Sequence, residues 1–133
     1  MQVAQNGMDV VSETVEAFNR RDVPALMGLL AEDVQLLPFA AKLSGETYVG
    51  AEGIRRWLAE LEDEWAEWRV ELVEQRPIQE YVLSVGRIKA RGRETDLELN
   101  LPAAFLSTVR DGSLVRLESF GDPAEALAAA GAA

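Results

Sequence analysis

The sequence of 133 residues contains no cysteine and no histidine. Without cysteine, disulfides, thiolate nucleophiles and cysteine-ligated zinc or iron–sulfur sites are excluded. Without histidine, Ser-His-Asp triads, imidazole general bases and most transition-metal sites are excluded as well. Any acid–base chemistry must come from carboxylates, from water, or from Tyr48, Tyr81, Lys42 or Lys89. We therefore expect no metal site and no cofactor.

Basic residues and long apolar runs are also scarce. The 13 Lys and Arg stand against 23 Asp and Glu, a net charge of −10, which argues against nucleic acid or an anionic membrane as a partner. No uncharged apolar run reaches the roughly 18 residues that a membrane span needs. The first residues lack the segments of a signal peptide, so we expect a cytoplasmic protein. The predominance of Arg over Lys and the abundance of Ala are typical of a high-GC bacterial genome.

Apolar periodicity predicts three helices in the first half of the chain. The first covers residues 9–21, the second follows Asp22 as its N-cap, and the third covers residues 51–65. The third helix carries a wide apolar stripe that includes Trp57 and Leu61, and the acidic residues of its opposite side are interpreted as a solvated face. A short last helix is predicted after Asp122, and residues 1–7 and 128–133 are expected to fray.

Apolar and alternating patterns predict the strands. They cover residues 34–39, 69–74, 81–91, 96–110 and 114–120, whereas residues 40–50 are predicted to form a loop. Asp111-Gly112 predicts a tight hairpin turn. Strands that follow one another without crossover helices predict an antiparallel sheet with helices on one face. The sequence thus predicts a single α+β domain over residues 1–133.

Five segments carry a resemblance to a known family. They are VEAFNRRD at residues 15–22, LLAEDV at 29–34, YVGAEGIR at 48–55, VRDG at 109–112, and SFGD with EAL between 119 and 127. In this order and spacing they resemble SnoaL-like members of the nuclear transport factor 2-like superfamily. The resemblance implies a cone: a curved antiparallel sheet wrapped around three N-terminal helices, with an apolar cavity and a short C-terminal helix. Relatives of this kind include ketosteroid isomerases, limonene-epoxide hydrolases and polyketide cyclases, so the fold alone does not give the function.

The resemblance also places the catalytic groups of those enzymes on residues of this chain. Pro38 stands where the isomerases have their base Asp. Gly86 and Ile88 stand where the epoxide hydrolases have an Arg and an Asp, and Ser119 stands at their second Asp. We therefore predict a cone without the usual catalytic acids of the family.

Strand alternation predicts which side chains face the cavity, because neighbouring residues point to opposite faces. On residues 81–91, Val82, Ser84, Gly86, Ile88 and Ala90 are predicted inside, and Leu83, Val85, Arg87, Lys89 and Arg91 outside. On the last strand, Val115, Leu117 and Ser119 are predicted inside. The predicted ligand-binding residues are Leu37, Phe39, Tyr48, Trp57, Leu61, Ser84, Leu117 and Ser119.

Three residues are weak catalytic candidates, each with a structural alternative. Glu118 would reach the cavity if the last strand were shifted by one residue, but Arg116 on its face favours an exposed ion pair. Tyr48 could donate a hydrogen bond to a ligand or serve a structural role. Asn100 shares a face with Asp96 and is expected to be exposed unless a bulge changes the phase.

These observations favour a cone domain that binds a small apolar or amphipathic molecule in a cavity without a carboxylate. The alternative is a SnoaL-like enzyme, a polyketide cyclase, isomerase or epoxide hydrolase, that uses relocated carboxylates. A third possibility is a structural module whose own side chains fill the cavity. We also expect a homodimer formed through the outer sheet face, with Leu83, Val85, and Leu114 or Phe120 in contact.

Overall fold

The computed structural model describes residues 2–39 and 44–131. Four helices and six strands lie within these ranges: α1 (Gln2–Arg20), α2 (Val23–Leu29), β1 (Leu30–Leu37), β2 (Tyr48–Val49), α3 (Gly50–Glu64), β3 (Trp65–Ile78), β4 (Tyr81–Gly92), β5 (Glu98–Arg110), β6 (Ser113–Phe120) and α4 (Pro123–Ala129). No helix in the described ranges is long and apolar enough to cross a membrane.

The six strands form one curved, unclosed sheet in the order β2-β1-β6-β5-β4-β3. The hairpins from β3 to β6 are antiparallel, and so is the β1–β2 pair, whereas β1 runs parallel to β6. The α+β class and the curved sheet are confirmed. The predicted antiparallel pairing holds for the other strand pairs of the described sheet, and the parallel β1–β6 pair departs from it.

Local signals at the turns and helix starts are confirmed. The Asp22 carboxylate accepts from the Ala25 N–H at 3.2 Å, and the Asp122 carboxylate accepts from the Glu125 N–H at 2.9 Å. At the β5–β6 turn, Asp111 and Gly112 both have positive φ, 55° and 79°, as a two-residue hairpin of this hand requires.

Several boundaries differ from those predicted. α1 starts at Gln2 instead of residue 9, and β1 starts at Leu30 instead of residue 34. β3 covers Trp65–Ile78 instead of residues 69–74, because β4 pairs with it along its whole length despite two irregularities that interrupt its alternation. Within the predicted loop, residues 48–49 form β2, and residues 40–43 lie outside the described residues.

The two faces of the sheet carry separate hydrophobic clusters. On the concave face, Val82, Ala103 and Phe105 pack with residues of α1, α2 and α3. On the opposite face, Leu83 and Leu106 pack beneath α4, where Leu83 has no exposed surface. The alternation predicted for β4 therefore matches its two clusters.

The position of α4 changes the argument for a dimer. Leu83 and Phe120, two residues on which that prediction rests, are buried within the subunit against α4, and Leu114 belongs to the concave-side core. Elsewhere on the outer face, Glu71 forms ion pairs with Arg69 at 2.9 Å and Lys89 at 3.1 Å. The homodimer stays a prediction. Leu83, Phe120 and Leu114 do not form an exposed apolar patch that could serve as its interface.

Asn19 fastens α1 to the sheet. Its side-chain NH2 donates to the Val70 carbonyl at 2.7 Å, and its side-chain oxygen accepts from the Val70 N–H at 3.0 Å. Two residues later, the Arg21 guanidinium donates to the Trp68 carbonyl at 2.8 Å. The C-terminal end of α1 is thus held against the first half of β3 by hydrogen bonds between side chains of α1 or the residue after it and the β3 backbone.

A bulge in β3 brings its backbone onto Gly86 of β4. Leu72 pairs with Gly86 and Glu74 pairs with Val85, so Val73 is an extra residue in β3, and its side chain is 77% exposed. A Cβ atom at Gly86 would lie 1.9 Å from the Glu71 carbonyl oxygen. Only glycine fits at this position, where the strand pair bends.

Substitution Gly86→Ala should therefore destabilise the fold. The methyl group would displace the β3 backbone, and we expect the free energy of unfolding to fall by roughly 3 kcal/mol, the upper part of the range for overpacking. Urea unfolding followed by circular dichroism measures this loss.

The matched control is Gly28→Ala in α2, where a Cβ atom would meet nothing within 4 Å. Alanine is the better helix former, so this variant should be more stable by roughly 0.5–1 kcal/mol. Equal unfolding midpoints for Gly86→Ala and the wild type would contradict the role assigned to the bulge.

Candidate functional site

A cavity of about 860 Å³ lies between the concave face of the sheet and α1, α2 and α3. Most of its lining is apolar. The buried part of the wall includes Val11, Phe18, Leu26, Val34, Leu36 and Phe105. The Thr14 hydroxyl also lines the cavity but donates to the Val10 carbonyl at 2.7 Å, so its proton is already committed. The wall thus suits an apolar molecular body.

Aromatic rings make up much of this wall. Phe18 and Trp57 are stacked, with ring centroids 5.1 Å apart and an interplanar angle of 17°. Trp65 and Trp68 form a tilted pair, also with centroids 5.1 Å apart. All three tryptophans of the sequence therefore line the cavity. The sequence predicted Trp57 as a ligand-binding residue, but it did not identify Trp65 and Trp68 at this cavity.

The cavity opens where its lining residues are exposed, and we call this part the mouth. It consists of Phe39, Ser44, Glu60, Glu64, Leu101 and Pro102. Phe39 and Leu101 are 49% and 46% exposed, which is unusual for large apolar side chains. The mouth therefore combines three apolar side chains with two carboxylates contributed by successive turns of α3.

Tyr48 connects the cavity wall to the mouth. It is 7% exposed, and its hydroxyl donates to the Glu60 carboxylate. The Arg56 guanidinium lies 4.5 Å from the centre of the Tyr48 ring and 3.3 Å from Glu46. Burial, followed by the hydrogen bond and the negative charge of Glu60, raises the pKa of Tyr48 to about 12. The phenol is therefore protonated at neutral pH and its proton faces a carboxylate.

Six of the eight predicted ligand-binding residues line this one cavity: Phe39, Tyr48, Trp57, Leu61, Leu117 and Ser119. They come from α3, β6 and the segments around β1 and β2, which the fold brings together. Val115 was predicted on this wall, but Leu114 lies there instead. The reason is a bulge: Thr108 pairs with Arg116 and Val109 with Leu114, which leaves Val115 as the extra residue.

Leu37 and Ser84 are not part of the lining. Leu36 takes the place of Leu37, since Leu36 pairs with both Tyr48 and Leu117 and the next residue points to the other face. Ser84 is on the concave face but lies fully buried near α1, where it accepts from the Gln75 side chain at 3.2 Å.

Two of the three catalytic candidates lie outside the cavity. Glu118 forms the predicted ion pair with Arg116 at 3.1 Å, but both side chains are half-buried instead of exposed. Asn100 is exposed and accepts from Arg87 at 2.5 Å. Only Tyr48 of the three candidates lines the cavity, and Glu60 is beside it.

Glu60 and Glu64 correct the expectation of a cavity without a carboxylate. Sequence reasoning assigned both to the solvated face of α3. They follow the stripe residues Trp57 and Leu61 by three positions, so each lies at the border of the apolar stripe, and this spacing is the signal that could have identified them. Within residues 2–39 and 44–131, no three carboxylates come close enough together to hold a metal ion.

Comparisons with known proteins agree with this geometry. Residues 11–117 match the model of the SnoaL-like domain. An NTF2-like protein of unknown function from Burkholderia pseudomallei is 25% identical, with a TM-score of 0.77 over 92% of this chain and 95% of that chain. A candidate polyketide cyclase from Xanthomonas campestris is 22% identical, with a TM-score of 0.76 over 96% and 98%.

A structure of TerC co-crystallized with polyporic acid is also similar, with 20% identity and a TM-score of 0.77 over 90% of this chain and 94% of that chain. Among curated proteins, no sequence matched. Because the family match covers most of the chain and includes the strands and helices around the cavity, the protein belongs to the SnoaL-like domain family, within the NTF2-like fold.

Proposed function

We propose that this protein binds a small apolar or amphipathic molecule in the cavity, with the polar end of the molecule at the mouth. The observation that carries the proposal is the volume of about 860 Å³ with an almost continuous apolar wall. Ligand pockets of proteins have this size and composition. The TerC structure with polyporic acid shows that a protein of this fold can bind a small molecule, and it supports the proposal to that extent.

Filling the cavity should abolish binding. Ala103 lines the cavity and is 3% exposed, so Ala103→Phe would direct a ring into the empty volume. We expect this variant to fold as the wild type does and to lose binding of an uncharged apolar fluorescent probe such as N-phenyl-1-naphthylamine. Titration of probe fluorescence measures the loss.

The matched control is Ala51→Phe, which adds the same ring at an exposed position of α3 and should keep the wild-type affinity. Equal binding by Ala103→Phe and the wild type would show that the probe sits elsewhere and would contradict the proposal. Loss of binding by both variants would contradict it too.

A second candidate function, catalysis with relocated carboxylates, is favoured by the contact between Tyr48 and Glu60. A carboxylate at the edge of an apolar cavity can accept a proton from a bound molecule, and a neighbouring phenol can hold it in position. The positions that the family resemblance assigns to catalytic acids carry Pro38, Gly86, Ile88 and Ser119. An isomerase, cyclase or hydrolase built on this chain would therefore depend on Glu60.

The contact predicts an unusual titration of Tyr48. The difference in tyrosinate absorbance between the wild type and Tyr48→Phe should have its midpoint near pH 12, since burial and Glu60 both oppose ionisation. Stability from this effect is complete below the ordinary pKa of about 10 and is lost as the pH rises towards 12. In Glu60→Gln the midpoint should fall but stay above 10, because burial remains. A wild-type midpoint near pH 10 would contradict the contact.

Because the usual acids are missing, we expect no turnover of simple ketosteroid or epoxide substrates. A chromatographic assay of a substrate panel measures this outcome. Turnover that is lost in Glu60→Gln, and kept in the surface control Glu52→Gln, would favour the enzyme over the binding protein. The homodimer and the cytoplasmic location stay predictions from the sequence.

A further inference from the structure

The charged groups that line the cavity all have the same sign. Of the lining residues in the described part of the chain, Glu60 and Glu64 are charged and none is basic. Both are on α3, one turn apart, at the mouth. A ligand whose apolar body fills the cavity would have its polar end close to these two carboxylates.

Arg56 reduces this negative charge only in part. It lies 3.9 Å from Glu60 and 3.3 Å from Glu46, so one guanidinium is shared by two carboxylates, and its side chain is 52% exposed. Together these three groups keep one net negative charge, to which Glu64 adds another. The mouth is therefore anionic even where an arginine is present.

The hydrogen-bonding groups at the mouth also favour a ligand that donates hydrogen bonds. The Tyr48 hydroxyl donates its hydrogen bond to Glu60, so its oxygen can only accept a hydrogen bond from a ligand. Carboxylates such as Glu60 and Glu64 only accept hydrogen bonds when ionised. A ligand that donates hydrogen bonds finds acceptors here, whereas a ligand carboxylate would meet like charge and no free phenol proton.

The aromatic wall adds a second preference for positive charge. Trp57, Trp65 and Trp68 line the cavity, and an indole face is the strongest aromatic partner of an ammonium group. Trp57 and Trp65 lie on either side of Leu61 along the segment that also carries Glu60 and Glu64. Carboxylates and indole rings are thus contributed by one stretch of the chain.

We propose that the cavity selects amphipathic molecules with a protonated amine at their polar end and discriminates against carboxylates. This inference rests on the proposed binding function and names its ligand class. The geometry that carries it is the combination of an apolar cavity with Tyr48, Glu60 and Glu64 at its mouth.

The experiment uses three rigid probes that share one apolar body: 1-adamantylamine, 1-adamantanol and 1-adamantanecarboxylate. None of them absorbs where tryptophan does, so the fluorescence of the three cavity tryptophans reports binding, with calorimetry as a second measurement. At pH 7 the amine should bind about tenfold more tightly than the carboxylate, with the alcohol between them, as expected for one charge-assisted hydrogen bond.

Variants separate the local carboxylates from the overall charge of the protein. In the double variant Glu60→Gln with Glu64→Gln, the preference for the amine should fall to within about twofold, while the affinity for the alcohol stays the same. Glu52→Gln removes a negative charge from an exposed position of the same helix and should keep the full preference.

The outcomes distinguish the ligand class from the binding function. Equal affinities for amine and carboxylate, or a preference that survives the double variant, would overturn the ligand class but leave the binding function in place. If none of the three probes binds, the proposed function fails and the ligand class fails with it. A preference that disappears only in the double variant supports both.

Discussion

The close approach of β3 to Gly86 is the contact on which the rest of the structure depends. Val73 is an extra residue in β3, and the Glu71 carbonyl comes to lie where a side chain at position 86 would be. The bulge bends the strand and increases the local twist of the strand pair. That bend lets the sheet curve around α1, which Asn19 holds against Val70. Without the curvature, the helices would pack on a flatter sheet and less space would remain between them.

The cavity is a departure from ordinary packing. Protein interiors are close-packed, with few voids larger than a water molecule, whose share of liquid volume is about 30 Å³. The empty volume here, about 860 Å³, is far larger, and its wall consists of side chains that would gain contacts if it were filled. A ligand that occupies it would bind the folded state alone and so stabilise the fold. The same apolar wall that is suboptimal for packing is therefore what makes binding favourable.

Sequence reasoning recovered what depends on local signals and missed what depends on distant partners. The helix caps at Asp22 and Asp122 and the turn at Asp111 each depend on a few adjacent residues. The parallel pairing of β1 with β6 joins segments that are far apart in the sequence, and no local pattern predicts it. The bulge at Val115 moved Leu114 into the cavity wall, and α4 covered the apolar residues expected at a dimer interface. Glu60 and Glu64 at the mouth were missed because they border an apolar stripe on a helix rich in acidic residues.

Gly86 bears both on the bend of the sheet and on the chemistry that the candidate site can have. The family resemblance assigns this position to a catalytic arginine, but any side chain there would collide with the Glu71 carbonyl, so the local backbone excludes that chemistry. The bulge thus leaves no room for a side chain at one of the positions where the resemblance places a catalytic group. The carboxylates of the described lining belong instead to α3, which contributes Glu60 and Glu64 to the mouth. Of the two carboxylates in the described lining, Glu60 is the one that the buried Tyr48 contacts.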